Sequence, residues 1–161
     1  MKKTSFLLIF ALVLTFFVSC TQKNIHPREA VYAMVHGAET SIAGSVYTTD
    51  SSEGAPDFLS PELLCELYGD GLDLSGVRGA VYLSDGVALF EMAVFDCQDT
   101  DTAEALGGVC AIRFSTAAKE ARKLGIYVPE CTVKLYGNFV LAAMCDGSET
   151  AIDAALEKIK G

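Results

Sequence analysis

Two stretches in the second half of the chain repeat one pattern, and together they restrict the fold more than any other feature. Val77 to Cys97 alternates apolar and polar residues around Asp85-Gly86, and a helical pattern starts near Asp101. Cys131 to Cys145 alternates around Gly137-Asn138, and a second helical pattern starts near Ser148. Asp-Gly and Gly-Asn between alternating runs are the signal of tight hairpins. The chain therefore predicts two strand-turn-strand-helix units in succession, giving an α+β domain with a four-stranded, mainly antiparallel sheet.

Pairing each hairpin through a two-residue turn assigns the faces, because side chains alternate along a strand. On this register Val81, Leu83, Ala88, Phe90, Met92 and Val94 share one face with Val133, Leu135, Val140, Ala142 and Met144. That face is expected to meet two long helices. The first carries Leu106, Cys110, Ala117, Ala121 and Leu124 and stops at Gly125, with Asp101-Thr102-Ala103-Glu104 in the form of a capping box. The second buries Ile152, Ala155, Leu156 and Ile159, with Lys158 and Lys160 at the end where cations oppose the helix dipole favourably. The other face carries Arg78, Tyr82, Leu89, Glu91, Ala93 and Phe95 with Lys134, Tyr136, Phe139 and Leu141. It is too apolar to stand in water, so N-terminal helices, a partner or a ligand must cover it.

Upstream, Arg28 to Glu39 places Ala30, Val31, Met34 and Val35 at helical spacing. Thr40 to Asp57 turns to Ser, Thr, Gly and acids and reads as a long exposed loop. Ser60-Pro61-Glu62 opens a short helix, with serine as N-cap and proline in its first turn. Gly69 to Gly76 reads as a turn-rich connection. Its aspartates, like Asp96, Asp99 and Asp101, lack the spacing of an EF-hand calcium loop.

At the start, Lys2 and Lys3 precede an uncharged, mostly apolar run from Phe6 to Val18, closed by Ser19 and Cys20. The run of 13 residues is short of the ~20 needed to span a bilayer core, and the layout is that of a secretory signal peptide. Its end resembles the lipobox of bacterial lipoproteins, where cleavage precedes a cysteine that receives a diacylglyceryl group. Val18 and Ser19 suit the two positions before Cys20, whereas Phe17 stands where an aliphatic residue is usual. The expected organisation is a leader over 1–19, a lipidated Cys20 with a tether to Pro27, and one domain from Arg28 to Gly161. Several acyl chains make a stable anchor where one would not.

Net charge is −9, and removal of Lys2 and Lys3 with the leader leaves −11. A surface this acidic excludes nucleic acid and electrostatic docking to anionic lipid as the main mode of binding. Five cysteines remain after Cys20: Cys65, Cys97, Cys110, Cys131 and Cys145. They form no C-x-x-C or zinc-ligand pattern, and buried thiols acting as small apolar groups are favoured over any one disulfide. No cofactor or metal is implied. No nucleophile elbow, phosphate loop or H-E-x-x-H is present, and the histidines are His26 and His36 alone.

Glu91 lies amid Val87, Leu89, Met92, Ala93 and Val94 and calls for a partner; Arg78 is its diagonal neighbour on the predicted register. Arg78, Tyr82, Glu91, Lys134 and Tyr136 thus form the candidate binding face. From Leu63 onward the order of features resembles a family of small Clostridia-type Firmicutes lipoproteins of unknown function. The resemblance rests on Glu91-Met92-Ala93-Val94-Phe95, Tyr127-Val128-Pro129-Glu130 and Val133 to Leu141. It implies an extracytoplasmic lipoprotein and supplies no catalytic residues. The central helix differs in having few charges between Leu106 and Ala118. Three functions are compatible with these observations: an accessory or binding lipoprotein with an envelope partner, a small-ligand capture module on the exposed sheet face, and an envelope hydrolase. The hydrolase would need converging carboxylates or an activated cysteine.

Overall fold

Both faces of the central strands are apolar, and this decides the architecture. The computed structural model describes residues 25–39, 42–69, 71–85 and 88–161; the expected leader over 1–19 and the expected lipidation site Cys20 lie outside them. It holds strands β1 (Gly44–Thr48), β2 (Arg78–Ser84), β3 (Glu91–Asp96), β4 (Cys131–Tyr136) and β5 (Phe139–Met144). The helices are α1 (Pro27–Gly37), α2 (Pro61–Tyr68), α3 (Thr100–Lys123) and α4 (Ser148–Lys160). All strands join one antiparallel sheet in the order β1-β2-β3-β5-β4. The α+β class and both strand-turn-strand-helix units are present, with five strands rather than four. The extra strand, β1, lies in the segment expected to be a loop. Its Val46 and Thr48 are buried against β2, while Thr48 Oγ1 donates to the Gly79 carbonyl at 3.1 Å.

The β4–β5 hairpin has the expected register. Tyr136 pairs with Phe139 across Gly137-Asn138, and Gly137 takes a φ of 56°, in the left-handed region that favours glycine. The β2–β3 connection differs. Leu83 pairs with Glu91, and Ser84 N–H bonds the Phe90 carbonyl at 3.0 Å, so Phe90 lies opposite Ser84; Gly86 of the expected Asp85-Gly86 turn lies outside the described residues. The offset is odd, which turns β3 over relative to β2. Val81, Ala93 and Phe95 consequently share a face with Val140, Ala142 and Met144, whereas Ala80, Tyr82, Met92 and Val94 share the opposite face with Leu141 and Ala143.

Each face has its own helical layer. Helices α1 and α4 cover the Ala80–Met92–Leu141 face through Val31, Met34, Ile152 and Leu156. Helices α2 and α3 cover the Phe95–Val140 face through Leu64, Tyr68, Leu106, Cys110 and Phe114. The two long helices therefore lie on opposite sides of the sheet, correcting the expectation that they share one. Strand β5 explains the arrangement, since all its residues are buried and each face needs a cover.

Local signals set the helix ends. Ser60 Oγ accepts from Leu63 N–H at 3.2 Å, with Pro61 next to it. The cap of α3 is Asp99, whose carboxylate accepts from Thr102 N–H at 2.7 Å, so the helix starts before the capping box centred on Asp101. Ile25 is buried and Pro27 opens α1, so the folded part includes Ile25 to Pro27, which the sequence reading assigns to a tether. No helix among the described residues is long and apolar enough to cross a membrane.

Candidate functional site

Glu91 begins β3 on the face covered by α2 and α3, and three elements meet around it. From α2, the hydroxyl of Tyr68 donates to Glu91 Oε1 at 2.6 Å. From α3, Arg113 donates through Nε to Oε1 and Oε2 at 2.9 and 3.2 Å and through Nη2 to Oε2 at 2.8 Å. A charge-assisted fork of this kind is stronger than a neutral hydrogen bond and fixes orientation. The Tyr68 ring packs edge-on to Phe95, with centroids 4.9 Å apart, and the Arg113 guanidinium lies 5.2 Å from the Tyr68 centroid. The carboxylate is 14 % exposed and the guanidinium side chain 31 %.

Glu91 thus pairs with Arg113 rather than Arg78, because the turned-over register places Arg78 on the other face and at the far end of β2. The ion pair to Glu91 holds Arg113 above the usual guanidinium range despite partial burial. Burial, reinforced by the Glu91 charge, keeps the Tyr68 phenol well above its ordinary value, so the hydroxyl remains a donor.

Beside this cluster opens a groove of about 670 Å³, within the range of small-molecule sites. Its walls are the β2–β3 connection (Ala88, Leu89, Phe90), α3 (Val109, Ile112, Ala117) and the sheet end (Leu83, Met144), with Glu91 and Arg113 in its lining. Ile112, 64 % exposed, stands on the groove wall and adds apolar surface to it.

The other candidate residues scatter. Lys134 pairs with Asp153 of α4 at 3.1 Å, and Tyr136 lies under Lys160, 5.5 Å from the ring centroid. Tyr82 is buried under the helices and donates to the Ile42 carbonyl. Arg78 joins Asp50 at 3.2 Å, Asp96 at 3.7 Å and His26 at 3.1 Å. Burial raises Asp50, but hydrogen bonds from Arg78 and His26 outweigh it and leave this carboxyl below its usual range. The five residues therefore do not form one open face; both faces of the sheet are covered, and only Glu91 belongs to the groove.

No family model, curated protein or solved structure matches the chain. The chemistry has to be taken from the residues themselves. The five cysteines are free. Burial pushes the thiols of Cys110 and Cys145 up to about 12 and that of Cys97 up to about 11, the reverse of nucleophile activation. Asp73 accepts from Ser75 N–H and Asp99 caps α3, and no group of three or more metal-binding side chains occurs among the described residues.

Arg113 and Tyr68 are the site residues that sequence reasoning missed. One signal pointed to Arg113, which is the sole charge between Leu106 and Ala118 and lies beside the apolar stripe of its helix. For Tyr68 the only signal is its place at the end of the Leu63-Leu64-Leu67 stripe.

The groove also has a definite place in the molecule. It lies at the end of the sheet marked by Ser84, Glu91 and Met144, while Ile25 and His26 enter at the opposite end, where His26 meets Asp50 and Arg78. The seven residues of β2 separate the two ends by about 20 Å.

Proposed function

We propose that this protein is an extracytoplasmic lipoprotein, held by an acylated Cys20 on the outer face of the cytoplasmic membrane, and that its domain is a non-enzymatic binding module. The groove beside Glu91 and Arg113 is its binding site. The observation that carries this reading is a preformed, largely apolar groove with one rigid ion pair in its lining and an exposed Ile112 on its wall. Lys2 and Lys3, the apolar run from Phe6 to Val18 and the Cys20 that follows Ser19 support the location. Because helices cover both sheet faces, capture takes place at the end of the sheet and not on a bare face.

Two measurements on the full chain in its native membrane test the two halves. Intact mass analysis should find a chain beginning at an acylated Cys20, with the acyl mass absent from Cys20→Ala; an intact Met1 without acyl mass overturns the anchor. A photocrosslinking residue at Ile112 should capture a small molecule or an envelope protein in cells, while one at Tyr32 on α1 should not. Equal capture at the two positions, or none at Ile112, overturns the groove as the site.

A further inference from the structure

The polar part of the groove is neutral in charge yet rich in donors. A guanidinium carries five N–H groups. Glu91 uses the one on Nε and one on Nη2, and the Tyr68 hydroxyl oxygen, which faces Arg113, can accept one more. The rest point from a cation whose charge is already balanced at 2.8 Å. Glu91 is engaged in the opposite sense: the Tyr68 hydroxyl donates to Oε1, Arg113 Nη2 to Oε2, and the Arg113 Nε–H is shared between the two oxygens. The site therefore has hydrogen-bond donors to offer and no formal charge to neutralise. Around it stand Leu83, Leu89, Phe90, Val109, Ile112 and Met144.

We infer that the groove binds an uncharged, elongated apolar molecule bearing a carbonyl acceptor, an acyl ester, with the carbonyl on Arg113 and the chain on the apolar wall formed by Ile112 and Leu89. The inference rests on the binding role proposed above and names its ligand. A free carboxylate fits less well, because it sets a second anion beside Glu91 in a chain of net charge −9. An amine finds both Glu91 oxygens occupied. A plain hydrocarbon covers N–H groups without an acceptor, a loss of about tenfold in affinity.

The test uses the full chain in membranes and three photoreactive probes with one sixteen-carbon-type chain, delivered from the aqueous side as cyclodextrin complexes: a methyl ester, the free carboxylate and the alkane. Labelling is mapped by peptide mass spectrometry and normalised to labelling of bulk lipid. The ester should label the Leu83-to-Arg113 region at least about fivefold more than either other probe, as expected for one added hydrogen bond. Arg113→Lys, which keeps the charge and loses the fork, should lower ester labelling by a similar factor and leave the alkane unchanged. If that variant does not fold, the apolar replacement Tyr68→Phe/Glu91→Leu/Arg113→Met should abolish the preference of ester over alkane. Stronger labelling by the carboxylate, or equal labelling by the alkane, overturns the ligand class while the groove stands as a binding site. Absence of groove labelling by all three, together with capture of a protein at Ile112, also overturns the ligand class; absence of both overturns the binding role itself.

Discussion

At the scale of residues, the centre of the site is an encounter between two isolated charges. Glu91 is an acid at the head of an apolar strand, and Arg113 the one base in an apolar stretch of helix. Neither can be taken out of water alone without a large penalty, so folding brings them together and lets Tyr68 fill a remaining acceptor site. That Glu91 requires a partner is legible in the sequence. Which partner is not, because the choice between Arg78 and Arg113 depends on a register set by loop length. The pair makes a specific prediction: Glu91→Leu or Arg113→Met alone strands a partly buried charge and should cost about 1–3 kcal/mol, discounted for the exposure of Arg113. The double variant should be less destabilised than the sum of the two, and urea unfolding of all four proteins measures the coupling. Additive losses would show that the ion pair contributes nothing. The thiols supply a second prediction. Cys65 and Cys131 are exposed and Cys97, Cys110 and Cys145 are buried, with thiols pushed far above neutral pH. Iodoacetamide at pH 8 with peptide mapping should modify the first two in the folded protein and the other three only after denaturation; early modification of Cys110 would mean that α3 opens readily.

At the scale of elements, what could be read locally held and what depended on a distant count did not. Gly137-Asn138 makes the β4–β5 hairpin legible because a two-residue turn leaves one register. Asp85-Gly86 suggests the same for β2–β3, yet the connection runs on to Phe90, and a change of odd length exchanges the faces of a whole strand. The layering is a separate matter: the repeat of strand-turn-strand-helix suggests both long helices on one face, whereas α4 covers the face of Met92 and Val94 and α3 that of Ala93 and Phe95. Strand β1 was illegible for another reason: Gly44-Ser45-Val46-Tyr47-Thr48 is too short and polar to stand out from the loop around it, and tertiary pairing with β2 makes it a strand. The paired glycines of α3 divide by environment in the same way. A Cβ on Gly107 would lie 2.9 Å from Leu135 Cδ2, whereas one on Gly108 meets nothing within 4 Å. Gly108→Ala should therefore stabilise the protein by about 0.5–1 kcal/mol through helix propensity alone. Gly107→Ala should gain less or lose, because Leu135 has to move. Thermal melts of the two variants test this, and an equal gain at both positions would mean that Gly107 does not serve close packing against β4.

At the scale of the whole molecule, the chain enters at one end of the sheet and the groove opens at the other, and this polarity turns a tether into an orientation. From Cys20 to Ile25 the backbone can reach at most about 17 Å, so an acylated Cys20 keeps the Ile25–Asp50–Arg78 end near the bilayer. With Cys20 acylated as proposed and β2 standing along the membrane normal, the groove would lie about 20 Å farther out, facing the space beyond the membrane. Charge acts in the same direction, because an acidic surface is repelled by anionic headgroups and resists lying flat. The proposed ester would accordingly be received from outside, or from a partner, and not drawn from the leaflet that holds the anchor. Single nitroxide labels at Gln98, beside the tether end, and at Ile112, in the groove, give the measurement: in vesicles containing the acylated protein, a lipid-bound relaxation agent should broaden the Gln98 spectrum much more than that of Ile112. A water-soluble agent should reach both. Stronger broadening at Ile112 would place the groove against the headgroups, and the protein would then draw its ligand from its own bilayer.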